Sequence, residues 1–226
     1  MGVVTQRKVW LVGLAAFSLA LYVLLWVGIV QQWSWVEIMD RFALDPLHTY
    51  GLAHPGWVRF WDVLCTVLGP TVFRLAALVV IIVALARRKV RVAMFLTISV
   101  ELSGLITEVA KAAANRQRPA GALVSAQSTS FPSGHALGVM VGVLAFLTLA
   151  LPIVRRPVRF WLIVLGAVVV LAIGVARVVL CVHHPSDVLA GWALGFAWFV
   201  GCVLMVPPAV PVTAADETPG APGSSL

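Results

Sequence analysis

Apolar runs broken by short polar stretches set the plan of this chain. Arg7 and Lys8 precede a run over residues 9–30 whose only weakly polar members are Gly13, Ser18, Tyr22 and Gly28. About 20 apolar residues suffice for a helix to cross a bilayer core, so this run spans. It is too long for a signal-peptide core and no small-x-small cleavage pattern follows it, which reads as a signal anchor. Residues 31–55 turn polar, with Glu37, Asp40, Arg41, Asp45, His48 and His54. Trp33 and Trp35 open that stretch and Trp57 and Trp61 follow it, as suits anchors in the headgroup layer. Residues 56–68 carry Arg59 and Asp62 among apolar neighbours and predict a helix lying in the interface. Further spans are predicted over residues 70–86, 92–113, 133–154, 160–182 and 188–206. The third span holds Thr97, Glu101, Gly104, Glu108 and Lys111 at steps of three and four, which predicts one polar helix face.

Composition agrees with this plan. The chain is 61% hydrophobic and 11% charged, against about half and a quarter in soluble domains. The reading is an all-α, polytopic membrane protein of six transmembrane helices. Its membrane domain covers residues 1–206, with 31–68 as an extracytoplasmic or interfacial segment. Residues 207–226, rich in Pro, Ala, Gly and Ser, predict a disordered cytoplasmic tail. Of sixteen basic residues, Arg7, Lys8, Arg87, Arg88, Lys89, Arg91, Arg155, Arg156 and Arg159 fall in alternate loops. The positive-inside rule puts those loops and both termini in the cytoplasm. It also explains the net charge of +7 without nucleic acid. Cys65, Cys181 and Cys202 form no metal or disulfide pattern and read as small apolar fillers.

This orientation brings three polar clusters to one depth on the extracytoplasmic side. The first is Lys111-x6-Arg118-Pro119. The second is Pro132-Ser133-Gly134-His135, at the start of a span. The third is Arg177-x5-His183-His184-x2-Asp187. Ionisable residues in such a chain mark function. A helix N-terminus favours a phosphate-like anion, and Gly134 allows close backbone approach. Three cations, a helix start, a hydroxyl and separated histidines fit phosphoryl transfer, where catalysis is mostly positioning and charge stabilisation. Other chemistries fit poorly. Cys181 lacks the arginine of a C-x5-R phosphatase, no P-loop occurs, and Ser133 lacks a G-x-S-G setting. Three adjacent cations would repel a metal from His183, His184 and Asp187.

The three clusters, in this order and with these gaps, resemble the signature of the type-2 phosphatidic acid phosphatase (lipid phosphate phosphatase) superfamily, whose site is shared with vanadium-dependent haloperoxidases. The resemblance implies that His183 is the nucleophile and forms a phosphohistidine. It implies that Asp187 orients the His183 ring and that His135 is the general acid and then the base. Lys111, Arg118, Arg177, Ser133 and the Gly134 amide would hold the phosphoryl oxygens, with no metal and no cofactor. Two departures stand out: Ala176 replaces a usual serine, and His184 occupies a position where an aromatic is common.

The expected function is hydrolysis of a lipid phosphomonoester or diphosphate at the extracytoplasmic face of the cell membrane. By family analogy the candidate substrates are a polyprenyl (undecaprenyl) diphosphate, phosphatidic acid and phosphatidylglycerol phosphate. A lipid phosphotransferase using the same residues and a non-catalytic lipid-binding or transport protein are the alternatives. Among the remaining residues, His184, His48 and His54 read as structural or incidental. Arg116 reads as a headgroup contact or an interfacial arginine. Glu108 reads as a partner for Lys111, and Glu101 as a buried acid with no partner assigned.

Overall fold

The computed structural model describes residues 3–208, and every regular element among them is a helix. The predicted tail lies almost wholly outside the described residues. α1 (Val3–Val30), α2 (Ser34–Ala53), α3 (Pro55–Val67) and α4 (Pro70–Ala86) come first. α5 (Val90–Leu96) passes through a π-helical turn, Thr97–Glu101, into α6 (Ser103–Ala114). A long loop leads to α7 (Gly134–Ala150), α8 (Arg156–Val179) and α9 (Pro185–Met205). Proline opens α3, α4, α8 and α9, where its fixed φ suits a helix start and its missing N–H costs nothing. α6 ends at Asn115, in the left-handed region with φ 45°.

Five stretches are long and apolar enough to cross a membrane: Lys8–Val30, Pro55–Ala86, Val90–Ala114, Arg156–Val179 and Pro185–Met205. Each turns large apolar side chains outward, as with Phe17 on α1, Ile82 on α4 and Leu165 on α8. α7 is shorter, at 17 residues, about 25 Å at 1.5 Å per residue. It is the central helix, packed against α4, α6, α8 and α9, and the Ser133 side chain that caps its start is fully buried. The predicted span over 133–154 is therefore a helix in the expected place but of reduced length.

The core follows α7. On one side Leu137, Val141 and Ala145 meet Phe95, Leu96 and Val100, with Phe199 and Val200 of α9. On the other, Val139 and Val143 meet Cys65 of α3 and Val170, Ile173 and Ala176 of α8. α7 and α9 approach closely. A Cβ added at Gly191 would stand 2.6 Å from the Ser133 carbonyl oxygen. Small residues let membrane helices approach in this way. The approach sets the starts of α7 and α9 side by side, and the Ser133 amide donates to the Asp187 carbonyl at 2.9 Å.

The polar segment over 31–55 is almost entirely helical, as α2, and α2 packs against α8 and α9. α3, expected to lie in the interface, packs on α8 and continues into α4 across Leu68 and Gly69. The predicted polar face of the third span does not hold. A π turn interrupts the helical phase of this span, and Ser99, Ser103, Thr107 and Lys111 are buried while Thr97 and Glu108 are exposed. Glu101 has Arg74 of α4 as its nearby cation, and the Arg74 guanidinium lies against Gly104.

Candidate active site

The end of α6, the start of α7, the end of α8 and the turn that leads into α9 converge on a cavity of about 550 Å³. Lys111, Arg118, Gly134, His135, Arg177 and His183 all line it, together with Asp62 of α3, the first turn of α4 and loop residues 125–128. The three clusters that are distant in sequence therefore meet. Ser133 lies behind the wall, fully buried, and its Oγ accepts from the Ala136 amide at 3.4 Å as the cap of α7. Asp187 is also behind the wall, with no exposed surface. Ala176 is buried in the apolar cluster under α8 and does not line the cavity.

Arg118 is the most connected cation. Its Nε donates to the Ser128 carbonyl at 3.0 Å, one Nη to Gln127 O at 2.9 Å and the other to Val182 O at 2.7 Å. That last nitrogen also lies 3.2 Å from His183 Nε2. Arginine only donates, so Nε2 is the acceptor and the neutral ring carries its proton on Nδ1. Nδ1 faces Asp187 Oδ2 at 3.5 Å. Burial holds the His183 pKa down, at about 4, with Asp187 opposing the shift and Arg177 and Arg118 adding to it. His183 is thus neutral near pH 7, with its Nε2 lone pair unprotonated and turned toward Arg118. Lys111 gives its Nζ to Ser128 Oγ at 2.6 Å rather than pairing with Glu108, and Arg177 is buried with Nε unpartnered.

His184 faces elsewhere. It lines a second cavity of about 910 Å³ with Asp40, Asp45, His48 and Arg116. It caps α9: its amide donates to Asp187 Oδ2 at 2.8 Å, and its Nδ1 lies 3.1 Å from the same oxygen. Burial pushes the neighbouring Cys181 thiol up to about 11, so it stays protonated. Sequence reasoning missed the surroundings of Asp187. Ser130 Oγ donates to Oδ2, and Arg116 bridges Asp187 Oδ1 at 2.6 Å and Asp40 Oδ2 at 2.7 Å. Arg116 is therefore neither a headgroup contact nor a free interfacial arginine.

The sequence pattern of the PAP2 superfamily matches residues 92–211, more than half of the chain. Phosphatidylglycerophosphatase B of Bacillus subtilis (strain 168) is 38% identical over 99 residues, which is 42% of this chain and 48% of that protein. Undecaprenyl-diphosphatase of Sulfolobus acidocaldarius is 39% identical over 66 residues, 29% of this chain and 28% of that protein. The matched segments thus span about half of the first relative and less of the second. The crystal structure of a transmembrane PAP2 type phosphatidylglycerolphosphate phosphatase from Bacillus subtilis shares the fold. It aligns with a TM-score of 0.64 at 24% identity, covering 86% of this chain and 94% of that one. The matched pattern contains all three polar clusters that line the cavity, and the chain belongs to the PAP2 superfamily.

Proposed function

We propose that the protein is a membrane lipid phosphatase that hydrolyses a phosphomonoester or diphosphate through a phosphohistidine, without a metal. The observation that carries this reading is the setting of His183. Its Nε2 accepts from Arg118 in a cavity walled by Lys111, Arg177 and His135, while its Nδ1 faces Asp187. Nε2 attacks phosphorus, the bond from phosphorus to the lipid or bridging oxygen breaks, and His135, which takes up a proton together with the bound phosphate dianion, gives that proton to the leaving oxygen. Water then attacks phosphorus and loses a proton to His135. The N–P bond breaks, releasing inorganic phosphate and restoring His183. Lys111, Arg118 and Arg177 stabilise charge on the phosphoryl oxygens. The Gly134 amide, at the start of α7, adds a donor, and Ser133 supports it through the cap.

Six spans, with α7 as the short one, put both termini in the cytoplasm and the cavity on the extracytoplasmic side. Support comes from chain direction: α4 and α7 start at the cavity and run away from it into the basic loops at 87–91 and 151–159. A headgroup would then enter at the interface with its tail in the bilayer. The activities for which the relatives are named bring phosphatidylglycerol phosphate and undecaprenyl diphosphate forward as substrates, with phosphatidic acid beside them.

The test is phosphate release from these three lipids by purified protein, with His183→Ala as the blank. Wild type should release phosphate with EDTA present, vanadate should inhibit, and the blank should be silent. Release by His183→Ala, or strict magnesium dependence, would overturn the reading.

A further inference from the structure

We propose that Asp40, on α2 and outside the stretch matched by the superfamily pattern, is a positioning residue for the reaction. It holds Arg116 to a one-point grip on Asp187 and so keeps Asp187 Oδ2 turned to His183. The proposal rests on the reading of His183 as the nucleophile.

Asp40 is 2% exposed and fully engaged. Its Oδ1 accepts from the Ser186 amide at 3.0 Å, and its Oδ2 accepts from Ser186 Oγ and from Arg116, each at 2.7 Å. The other Nη of Arg116 donates to Asp187 Oδ1 at 2.6 Å and to Ser186 Oγ at 2.7 Å. One guanidinium is thereby split between two buried carboxylates. Left to a single carboxylate, an arginine fork closes on both oxygens. On Asp187 that closure would draw Oδ2 away from His183 Nδ1, already 3.5 Å distant and in competition with Ser130 and His184 for the same oxygen. Asp40 prevents this by occupying the second Nη. It also fixes the Ser186 amide, and hence the first turn of α9, on which Asp187 sits one residue later.

A purely structural role predicts something different. A buried ion pair that only ties α2 to the bundle would lower stability when broken and would act independently of Asp187. A positioning role predicts that loss of Asp40 matters only while Asp187 is a carboxylate. The experiment is a double-mutant cycle on the purified full chain, with kcat and KM measured for Asp40→Asn, Asp187→Asn and the pair. Asp40→Asn should lower kcat by about tenfold to a hundredfold, as a small misplacement of a reacting group does, with KM little changed. In the Asp187→Asn background the same change should cost less than about twofold. An unchanged kcat for Asp40→Asn, or an equal loss in both backgrounds, overturns the proposal. If Asp40→Asn gives no cooperative thermal transition in detergent, Asp40→Glu replaces it, because the longer side chain keeps the charge but moves the second carboxylate from its place on the Arg116 fork. The same non-additivity with Asp187→Asn is expected, and equal losses again overturn it. Activity surviving in His183→Ala would remove the underlying site reading. A silent His183→Ala with a fully additive Asp40→Asn would remove this inference alone.

Discussion

Replacing Arg118 by lysine separates charge from geometry at the centre of the site. Arg118 makes four contacts: the carbonyls of Gln127, Ser128 and Val182, and His183 Nε2. A lysine keeps the charge but presents a single nitrogen, which can meet one or two of these partners, so about two are lost. Bonds to charged groups contribute about 1.5–3 kcal/mol each, and Arg118 is partly exposed, so water repairs part of the loss and the lower end applies. A total of about 3 kcal/mol, if felt in the transition state, is roughly a hundredfold in rate. We expect kcat/KM for phosphate release to fall about that far in Arg118→Lys, with the acid limb of the pH profile unmoved. Arg118→Gln should lose at least as much and should also move the acid limb upward. The sign follows from His183: burial holds its pKa at about 4, and Arg118 is one of the two cations that add to the shift. Removing a cation raises the pH at which His183 binds a proton, so the neutral nucleophile disappears earlier on acidification. Activity of Arg118→Lys within about threefold of wild type, or an acid limb that stays fixed in Arg118→Gln, would refute the reasoning.

Three further outcomes follow from placement. His184→Ala should retain most activity in the phosphate-release assay while lowering the thermal midpoint, because His184 caps α9 and faces the second cavity; loss of turnover matching His183→Ala would contradict this. Asp62 is a carboxylate on the wall of the cation-lined cavity, where it repels added negative charge. Asp62→Asn should therefore raise kcat/KM for a diphosphate relative to a monoester, and an unchanged ratio would exclude that role. Gly191→Ala puts a methyl 2.6 Å from a backbone oxygen that cannot swing aside. It should cost about 1–3 kcal/mol of stability, read as a lower midpoint in detergent, and an unshifted midpoint would show that α7 and α9 can part without penalty.

Hydropathy was enough to read the helical class and the order of the long apolar helices, because each long apolar run is marked by its own composition rather than by a partner. The three clusters were legible for a related reason: charge in an apolar chain is costly, so Lys111, Arg118, Arg177 and His183 stand out from their neighbours. Contacts between distant segments were not legible. Nothing local to Asp40 distinguishes it from Glu37 or Asp45, yet Asp40 is buried and bonded to Ser186, 146 residues away. Arg74 and Glu101 likewise belong to different helices. The π turn was invisible as well, since a regular step of three and four assumes an unbroken helical phase. The wider turn over Thr97–Glu101 breaks that phase, and Thr97 is exposed while Ser99 is buried. Helix ends shifted where a cap or a turn, rather than hydrophobicity, decides them: α8 stops at Val179, three residues short of the apolar run.

The choice between two adjacent histidines is made by the backbone. Cys181 sits in the left-handed region with φ 52°, a conformation that costs a non-glycine residue of order 1 kcal/mol. That residue turns the chain back over the end of α8, where the amides of Val182 and His183 both donate to the Arg177 carbonyl at 3.2 Å. His183 is thereby held beside Arg177 and Arg118, while His184 begins α9 and turns away. Their cavities differ in charge. The His183 cavity has Lys111, Arg118 and Arg177 against Asp62. In the other, Arg41 and Arg116 are already paired with Glu37 and Asp40, and Asp45 adds a further negative charge. A phosphate dianion is attracted to the first cavity and repelled by the second, so two chemically identical rings are distinguished by position alone. Asp187 serves both, capping α9 through His184 and facing His183 with the same oxygen. Its contact with His184 is the shorter by 0.4 Å, from 3.1 against 3.5 Å. Proximity to the carboxylate therefore does not distinguish the two rings; the cations around His183 Nε2 do, and they are what favours His183 as the proposed nucleophile.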